Sequence, residues 1–184
     1  GIRWDKRVFV ANGRYGVGKQ FPRFGDIVSV CDVDANRLAR AKDIVKGWLG
    51  KVPGGTGDYR KIIDDPKIDV VHISTPDHWH ALPAIDALAA GAHVFLEKPT
   101  AHTVQESRAI LNAARAANRV VQVGLHRRIG PHHVEAMKFL KSGKVGKVGQ
   151  VRLFVTGGGG KETPTPNSKP PVGLDWDMWW GPAP

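Results

Sequence analysis

Several side chains able to do chemistry stand at the ends of short apolar runs in this sequence. The run Val94-Phe95-Leu96 stops at Glu97-Lys98-Pro99. Proline cannot donate to a sheet and biases the residue before it toward extended backbone, so an acid and a base sit where a strand ends. A lysine in that place is a mobile cation whose proton affinity responds to burial and to neighbours. The plainer alternative is a solvated Glu-Lys pair. A second run, Ile27-Val28-Ser29-Val30, ends in Cys31-Asp32. A carboxylate at that point can accept hydrogen bonds from adenosine ribose hydroxyls, which favours NAD, while Arg37 leaves room for the 2′-phosphate of NADP. The competing role for Asp32 is a helix cap, which Asp34 or Asn36 would fill equally well.

After the first apolar run, Val8-Phe9-Val10, comes the turn Asn12-Gly13-Arg14-Tyr15-Gly16-Val17-Gly18. A phosphate would sit there on a helix N-terminus, although the glycines fall in a G-x-x-G-x-G order and not G-x-G-x-x-G. An ordinary strand-to-helix turn is the alternative. Asp77, His78 and His80 form a polar loop after another apolar run, and His132 and His133 form a pair. Neither set has a spacing that fixes metal ligands on one helical face, so no metal is assigned. The loop instead reads as a lead into a helix, with Asp77 near its start, or as the lining of a cofactor groove.

The elements that must position these groups alternate. Strands are expected at Arg7–Ala11, Asp26–Cys31, Asp69–Ile73, Val94–Leu96, Val120–Val123 and, longer, Val148–Thr156. Helices are expected from near Asp34 to about Val45, over Asp58–Asp64 up to Pro66, over His80–Ala90 with Gly91 as its cap, over Thr103–Ala117, and over Pro131–Ser142 before Gly143. Thr103 and Glu106 have the spacing of a capping box. Lys51–Gly57 reads as a loop. Strand-helix alternation of this kind gives an α/β fold, a doubly wound parallel sheet. The pattern breaks at Gly157–Gly160 and at the proline-rich stretch from Pro164 to Pro171. Trp176, Trp179 and Trp180 then crowd a tail apolar enough to need burial, either back on the sheet or against a partner beyond Pro184.

The chain of 184 residues, 41% of them hydrophobic, can build one sizeable core. Cys31 is its one cysteine, which excludes an internal disulfide and a cysteine-based zinc cluster. No apolar run approaches membrane-spanning length, so no membrane partner is expected. The net charge of +10 suits an anionic ligand. It comes from lysines and arginines scattered over predicted helix faces, with no basic block interleaved with aromatics, so nucleic acid is not the expected partner. The N-terminus has neither an initiator Met nor a signal-like apolar core, which fits a processed or partial chain.

Three segments in order, Ser74-Thr75-Pro76-Asp77-His78-Trp79-His80, then Ala90-Gly91-Ala92-His93-Val94-Phe95-Leu96-Glu97-Lys98-Pro99, then Gln122-Val123-Gly124-Leu125-His126-Arg127-Arg128, resemble the Gfo/Idh/MocA family. These are NAD(P)-dependent oxidoreductases of sugars, inositols and related polyols. The likeness covers roughly Val8 to Gly149. The tail from Leu174 to Pro184 resembles a segment of some bacterial members.

The resemblance implies a Rossmann domain over residues 1–147. Residues 148–184 would then begin a truncated second α/β domain for substrate and oligomerisation. It implies NAD as cofactor, with NADP open. Asn12, Gly13, Gly16 and Asp32 would hold the adenosine half, while Thr75, Pro76 and His80 line the groove toward the nicotinamide. Glu97 and Lys98 would lie beside the nicotinamide ribose and the substrate, with Lys98 as the catalytic residue, hydrogen-bonded to the reacting hydroxyl. Arg127 and Arg128 would face cofactor or substrate, and His126 stands where many relatives carry Gln. The small-molecule partner would be a sugar or polyol. A homo-oligomer is left open for the full-length form, and the location would be cytoplasmic, with export known among relatives.

Two departures from the family pattern shape the expectation. The phosphate turn is degenerate, and the second domain, which in relatives supplies an Asp and a His, is not expected within these residues. These 184 residues alone are therefore expected to turn over little or nothing. An NAD-dependent glycosidase of the same family and a non-catalytic nucleotide-binding module are the alternative readings.

Overall fold

The computed structural model describes residues 6–11, 25–154 and 166–183, with the side chains of residues 6–11, 25, 126 and 127 left aside. Among them, β1 (Lys6–Ala11), β2 (Gly25–Cys31), β3 (Gly54–Thr56), β4 (Val70–Ile73), β5 (His93–Glu97) and β6 (Val121–Gly124) form one sheet. Its order is β3-β2-β1-β4-β5-β6, and every neighbouring pair is parallel. The chain builds outward from β1 in both directions, so the strand order reverses between β1 and β4. In such doubly wound sheets the crevice at the carboxyl ends beside the reversal is the ligand site.

The helices are α1 (Ala35–Leu49), α2 (Arg60–Ile63), α3 (Ala81–Ala89), α4 (Val104–Ala116), α5 (His126–Ile129), α6 (Pro131–Lys141) and α7 (Trp176–Trp180). Asp34 caps α1 by accepting from the amides of Asn36 and Arg37. Asp32 is therefore not the cap. The helix runs past Val45, where the sequence pattern placed its end, and stops at Gly50, whose φ of +72° is left-handed. Thr103 and Glu106 close the expected capping box on α4.

All four residues of β4 are buried, as in a strand covered on both faces. In β5, Val94 and Leu96 are buried while His93, Phe95 and Glu97 are only partly so. Val71, Ile73, Val94 and Leu96 pack with Ala84 and Leu88 of α3 and Ile110 of α4. Ile27 and Val30 of β2 pack separately with Ala41 and Val45 of α1. Within β4, His72 is 1% exposed, lies edge-on to Phe95 at 5.1 Å, and has Nε2 2.8 Å from the Ser74 hydroxyl. Burial lowers this imidazole from its ordinary 6.5 to about 4.

Two sequence expectations are corrected. The stretch Lys51–Gly57 contains the edge strand β3, paired with β2 through Ser29↔Gly54 and Cys31↔Thr56. Its glycines carry no strand propensity, but neighbouring side chains crowd both Cα positions. A Cβ on Gly55 would lie 3.0 Å from the Lys42 side chain, and one on Gly54 3.2 Å from the Ser29 hydroxyl. The strand expected over Val148–Thr156 is not found in residues 148–154, and the last two lie outside the described residues. A strand needs a neighbour for its amides and carbonyls, and no described residue pairs with this stretch.

The described residues fall into two compact units: those up to Gly124 together with those from Pro170 onward, and Leu125–Lys169. In the second, Gly130 begins α6 with Pro131 at its first position, and Lys138 pairs with Glu135 at 2.7 Å. In the first, the tryptophan-rich tail returns to the sheet-bearing unit. Leu174 bridges Asp34 in antiparallel fashion, the Ala35 amide donates to the Gly173 carbonyl, and the Asp175 amide donates to that of Val33. Asp175 then caps α7, accepting from the Met178 amide. The tail ends against Trp79 at Gly181, where a Cβ would fall 2.1 Å from the indole and φ is +47°; only glycine fits there.

Candidate functional site at the strand ends

Three strand ends supply the polar groups of the site. At the end of β2 come Cys31 and Asp32, after β4 Ser74, Thr75 and Pro76, and at the end of β5 Glu97 and Lys98. All line a single cavity of about 560 Å³, together with Tyr59, Trp79 and part of the tail. That volume lies within the range of small-molecule sites, roughly 300–1,000 Å³. The cavity therefore gathers Asp32, Thr75, Pro76, Glu97 and Lys98.

Local bonds set these groups. Oδ1 of Asp32 accepts from the Asp34 amide at 2.9 Å, which fixes the carboxylate at the turn into α1. The Thr75 hydroxyl donates to the Trp79 carbonyl at 3.1 Å, folding the loop over the short 3₁₀ turn Asp77–Trp79. Glu97 rests against Gly124 of β6, where a Cβ would lie 3.0 Å from Oε1 and 3.1 Å from Oε2. Gly124 thus gives the Glu97 carboxylate its room. The Lys98–Pro99 peptide bond is cis. The Cys31 thiol is pushed up to about 12, first by burial and then by the charges of Asp32 and Asp58. It stays protonated, and Asp32, Asp34 and Arg37 line the cavity beside it.

His80 differs from its expected place. It is 1% exposed and stands behind the cavity wall. Its Nδ1 lies 2.6 Å from the Pro99 carbonyl oxygen and its Nε2 3.0 Å from that of Thr75. The ring ties the loop after β4 to the loop after β5. Its neighbours Asp77 and His78 are turned to other partners. Asp77 is held below the ordinary carboxylate range, chiefly by the hydrogen bond from His102, and His78 Nε2 lies 3.1 Å from the Trp179 carbonyl. Among the described residues no group of three or more His, Cys, Asp or Glu side chains is arranged to hold a metal ion. Asn12, Gly13 and Gly16 lie outside the described residues, as does the Arg127 side chain.

Residues that sequence reasoning did not assign to the site also line it. Tyr59 donates to Asp86 at 2.7 Å, and burial and that carboxylate raise its phenol. Trp79 meets Tyr59 edge-on at 6.0 Å. Pro171, Leu174, Trp176, Met178 and Trp179 come from the tail. The crowding of tryptophans in the tail signals burial, but not where.

This donor set suits a dinucleotide. One end offers a carboxylate acceptor for ribose hydroxyls, the other a lysine and a glutamate. Apolar and aromatic side chains lie between them.

The family model described as an oxidoreductase family with an NAD-binding Rossmann fold matches residues 12–125. Levoglucosan dehydrogenase of Pseudarthrobacter phenanthrenivorans is 44% identical over 93 residues, which are 50% of this chain and 24% of that protein. Inositol 2-dehydrogenase of Salmonella typhimurium is 32% identical over 123 residues, 66% of this chain and 35% of its own. Among solved structures, levoglucosan dehydrogenase in complex with NADH and levoglucosan superposes with a TM-score of 0.64 at 31% identity. That match covers 77% of this chain and 40% of the other. The chain thus spans between a quarter and two fifths of the length of these relatives. With the reversal in strand order, the strand-end cavity and the matched residues in agreement, the chain belongs to the Gfo/Idh/MocA family of oxidoreductases, with its NAD-binding Rossmann fold.

Proposed function

We propose that the strand-end cavity binds NAD and serves hydride transfer at a hydroxyl-bearing carbon of a sugar, inositol or related polyol. The observation that carries this reading is the convergence of Asp32, Thr75, Glu97 and Lys98 on one cavity from three strand ends. The relatives that act on levoglucosan and on inositol support the substrate class. Bound there, the nicotinamide would supply the hydride acceptor, as cofactors of this kind do.

The chain's own residues have positional and electrostatic work. Asp32, anchored by the Asp34 amide, accepts from the adenosine ribose hydroxyls and repels a 2′-phosphate, which favours NAD over NADP. Thr75 and Pro76 form the wall between the two ends. Lys98 donates to the oxygen of the reacting hydroxyl, orients it and stabilises the negative charge that develops there as the hydroxyl proton passes to water. Glu97 stands beside it, with its position set by Gly124. His80 is a positioning residue: it couples the Thr75 and Pro99 loops and does not touch the ligand. Asn12, Gly13, Gly16 and Arg127 complete the cofactor contacts in this reading.

Calorimetric titration with NAD and NADP tests it. The wild-type chain is expected to bind NAD more tightly than NADP. Asp32→Ala is expected to lose on the order of ten-fold in NAD affinity, as one charge-assisted hydrogen bond warrants. Equal affinity of wild type and Asp32→Ala for NAD would refute the assignment.

A further inference from the structure

We infer that the tail segment Leu174–Trp179 is the outer wall of the cofactor cleft, with the indoles of Trp176 and Trp179 packing against bound dinucleotide. The inference rests on the NAD reading of the cavity and adds a binding element outside residues 12–125, where the family match ends.

The tail is held at two places that flank the expected ligand. At one end Gly173 and Asp175 bond to Ala35 and Val33, directly after Asp32. At the other, the Trp179 carbonyl accepts from the Trp79 indole at 3.1 Å and lies 3.1 Å from His78 Nε2, directly after Thr75 and Pro76. Between these anchors, Leu174, Trp176, Met178 and Trp179 line the same cavity as Asp32, Glu97 and Lys98. A plug would consume that space. Here about 560 Å³ stays open with the tail in place, so the tail roofs the cleft.

The wall is aromatic and braced. Trp176 stacks on Trp179 with ring centroids 5.1 Å apart and an interplanar angle of 20°, and Trp180 supports it from 5.8 Å. Flat aromatic faces suit adenine or nicotinamide rings. Excluding water beside Asp32 and Lys98 strengthens the hydrogen bonds they make. All the anchoring bonds named use tail backbone atoms, so truncating the Trp176 or Trp179 side chain leaves them available and tests the wall itself.

The experiment is NAD binding to the full chain and to Trp176→Ala, Trp179→Ala and Trp176→Phe. Affinity is read by calorimetry, and energy transfer from the indoles to bound NADH by fluorescence. Each alanine variant is expected to weaken NAD on the order of ten-fold, the usual scale for losing one stacked aromatic. Trp176→Phe is expected to keep affinity within about three-fold, since an aromatic face remains, while energy transfer falls. Wild-type affinity in both alanine variants, or tighter binding, would overturn the wall and leave the NAD site standing. Failure of the wild-type chain to bind NAD at all would overturn the cofactor reading, and this one with it.

Discussion

His72 makes the folded state sensitive to acid in a calculable way. The ring is 1% exposed in the middle of β4, and burial lowers it from 6.5 to about 4. Above pH 6.5 it is neutral both folded and unfolded and contributes no pH dependence. Below that, the unfolded chain takes up a proton that the folded chain refuses, so stability is lost as pH falls toward 4. At about 1.36 kcal/mol for each pH unit in that window, the loss approaches about 3 kcal/mol, a sizeable part of a domain's total. Urea unfolding of wild type and His72→Leu at a series of pH values from 7.5 to 4 isolates the effect. The substitution carries a pH-independent cost because the Ser74 hydroxyl loses its 2.8 Å partner. The stability of wild type minus that of His72→Leu is expected to fall by about 3 kcal/mol across the window, whatever its value at pH 7.5. Parallel stability curves at every pH would show that His72 does not titrate as a buried neutral ring, and would refute the reasoning.

Other outcomes follow from the same contacts. Gly124→Ala places a methyl 3.0–3.1 Å from the Glu97 carboxylate, which must retreat by a few tenths of an ångström. Stability is expected to stay within about 1 kcal/mol, because replacing a glycine in a strand is itself mildly favourable. NAD affinity is expected to fall, as calorimetry beside a thermal melt would reveal. Cys31, buried and with its thiol pushed up to about 12, is expected to resist alkylation at pH 8 in the folded chain and to react promptly in denaturant. Mass spectrometry of iodoacetamide-treated protein distinguishes the two. Leu96→Ala, at the centre of the larger core with 0% exposure, is expected to cost about 2–5 kcal/mol, measurable by denaturant unfolding.

Much of this arrangement is legible in the sequence because parallel strands buried on both faces leave continuous apolar runs. Where Val94-Phe95-Leu96 or Val70-Val71-His72-Ile73 stops, the next polar residues must stand at a strand end, and Thr75, Glu97 and Lys98 do line the cavity. Local capping chemistry is equally readable, as Thr103 with Glu106 and Gly143 after α6 illustrate. What escapes is set by contacts distant in the chain. β3 is a strand through backbone pairing with β2, which its glycines do not advertise. His80 is one residue among several polar ones in its loop, and only the carbonyls of Thr75 and Pro99 reveal that it braces the site from behind. The tail's need for burial is written in its tryptophans. Its docking on Val33, Asp34 and Ala35 joins residues about 140 positions apart, which no local pattern specifies.

The most direct measurement is an NMR map of backbone amide shifts in the 20.0 kDa chain on titration with NAD. Saturable shifts are expected at Cys31–Asp34, Ser74–Trp79, Glu97–Lys98 and Leu174–Trp179, with α4 and α6 unmoved. Shifts confined to other surfaces, or none at saturating NAD, would contradict the account.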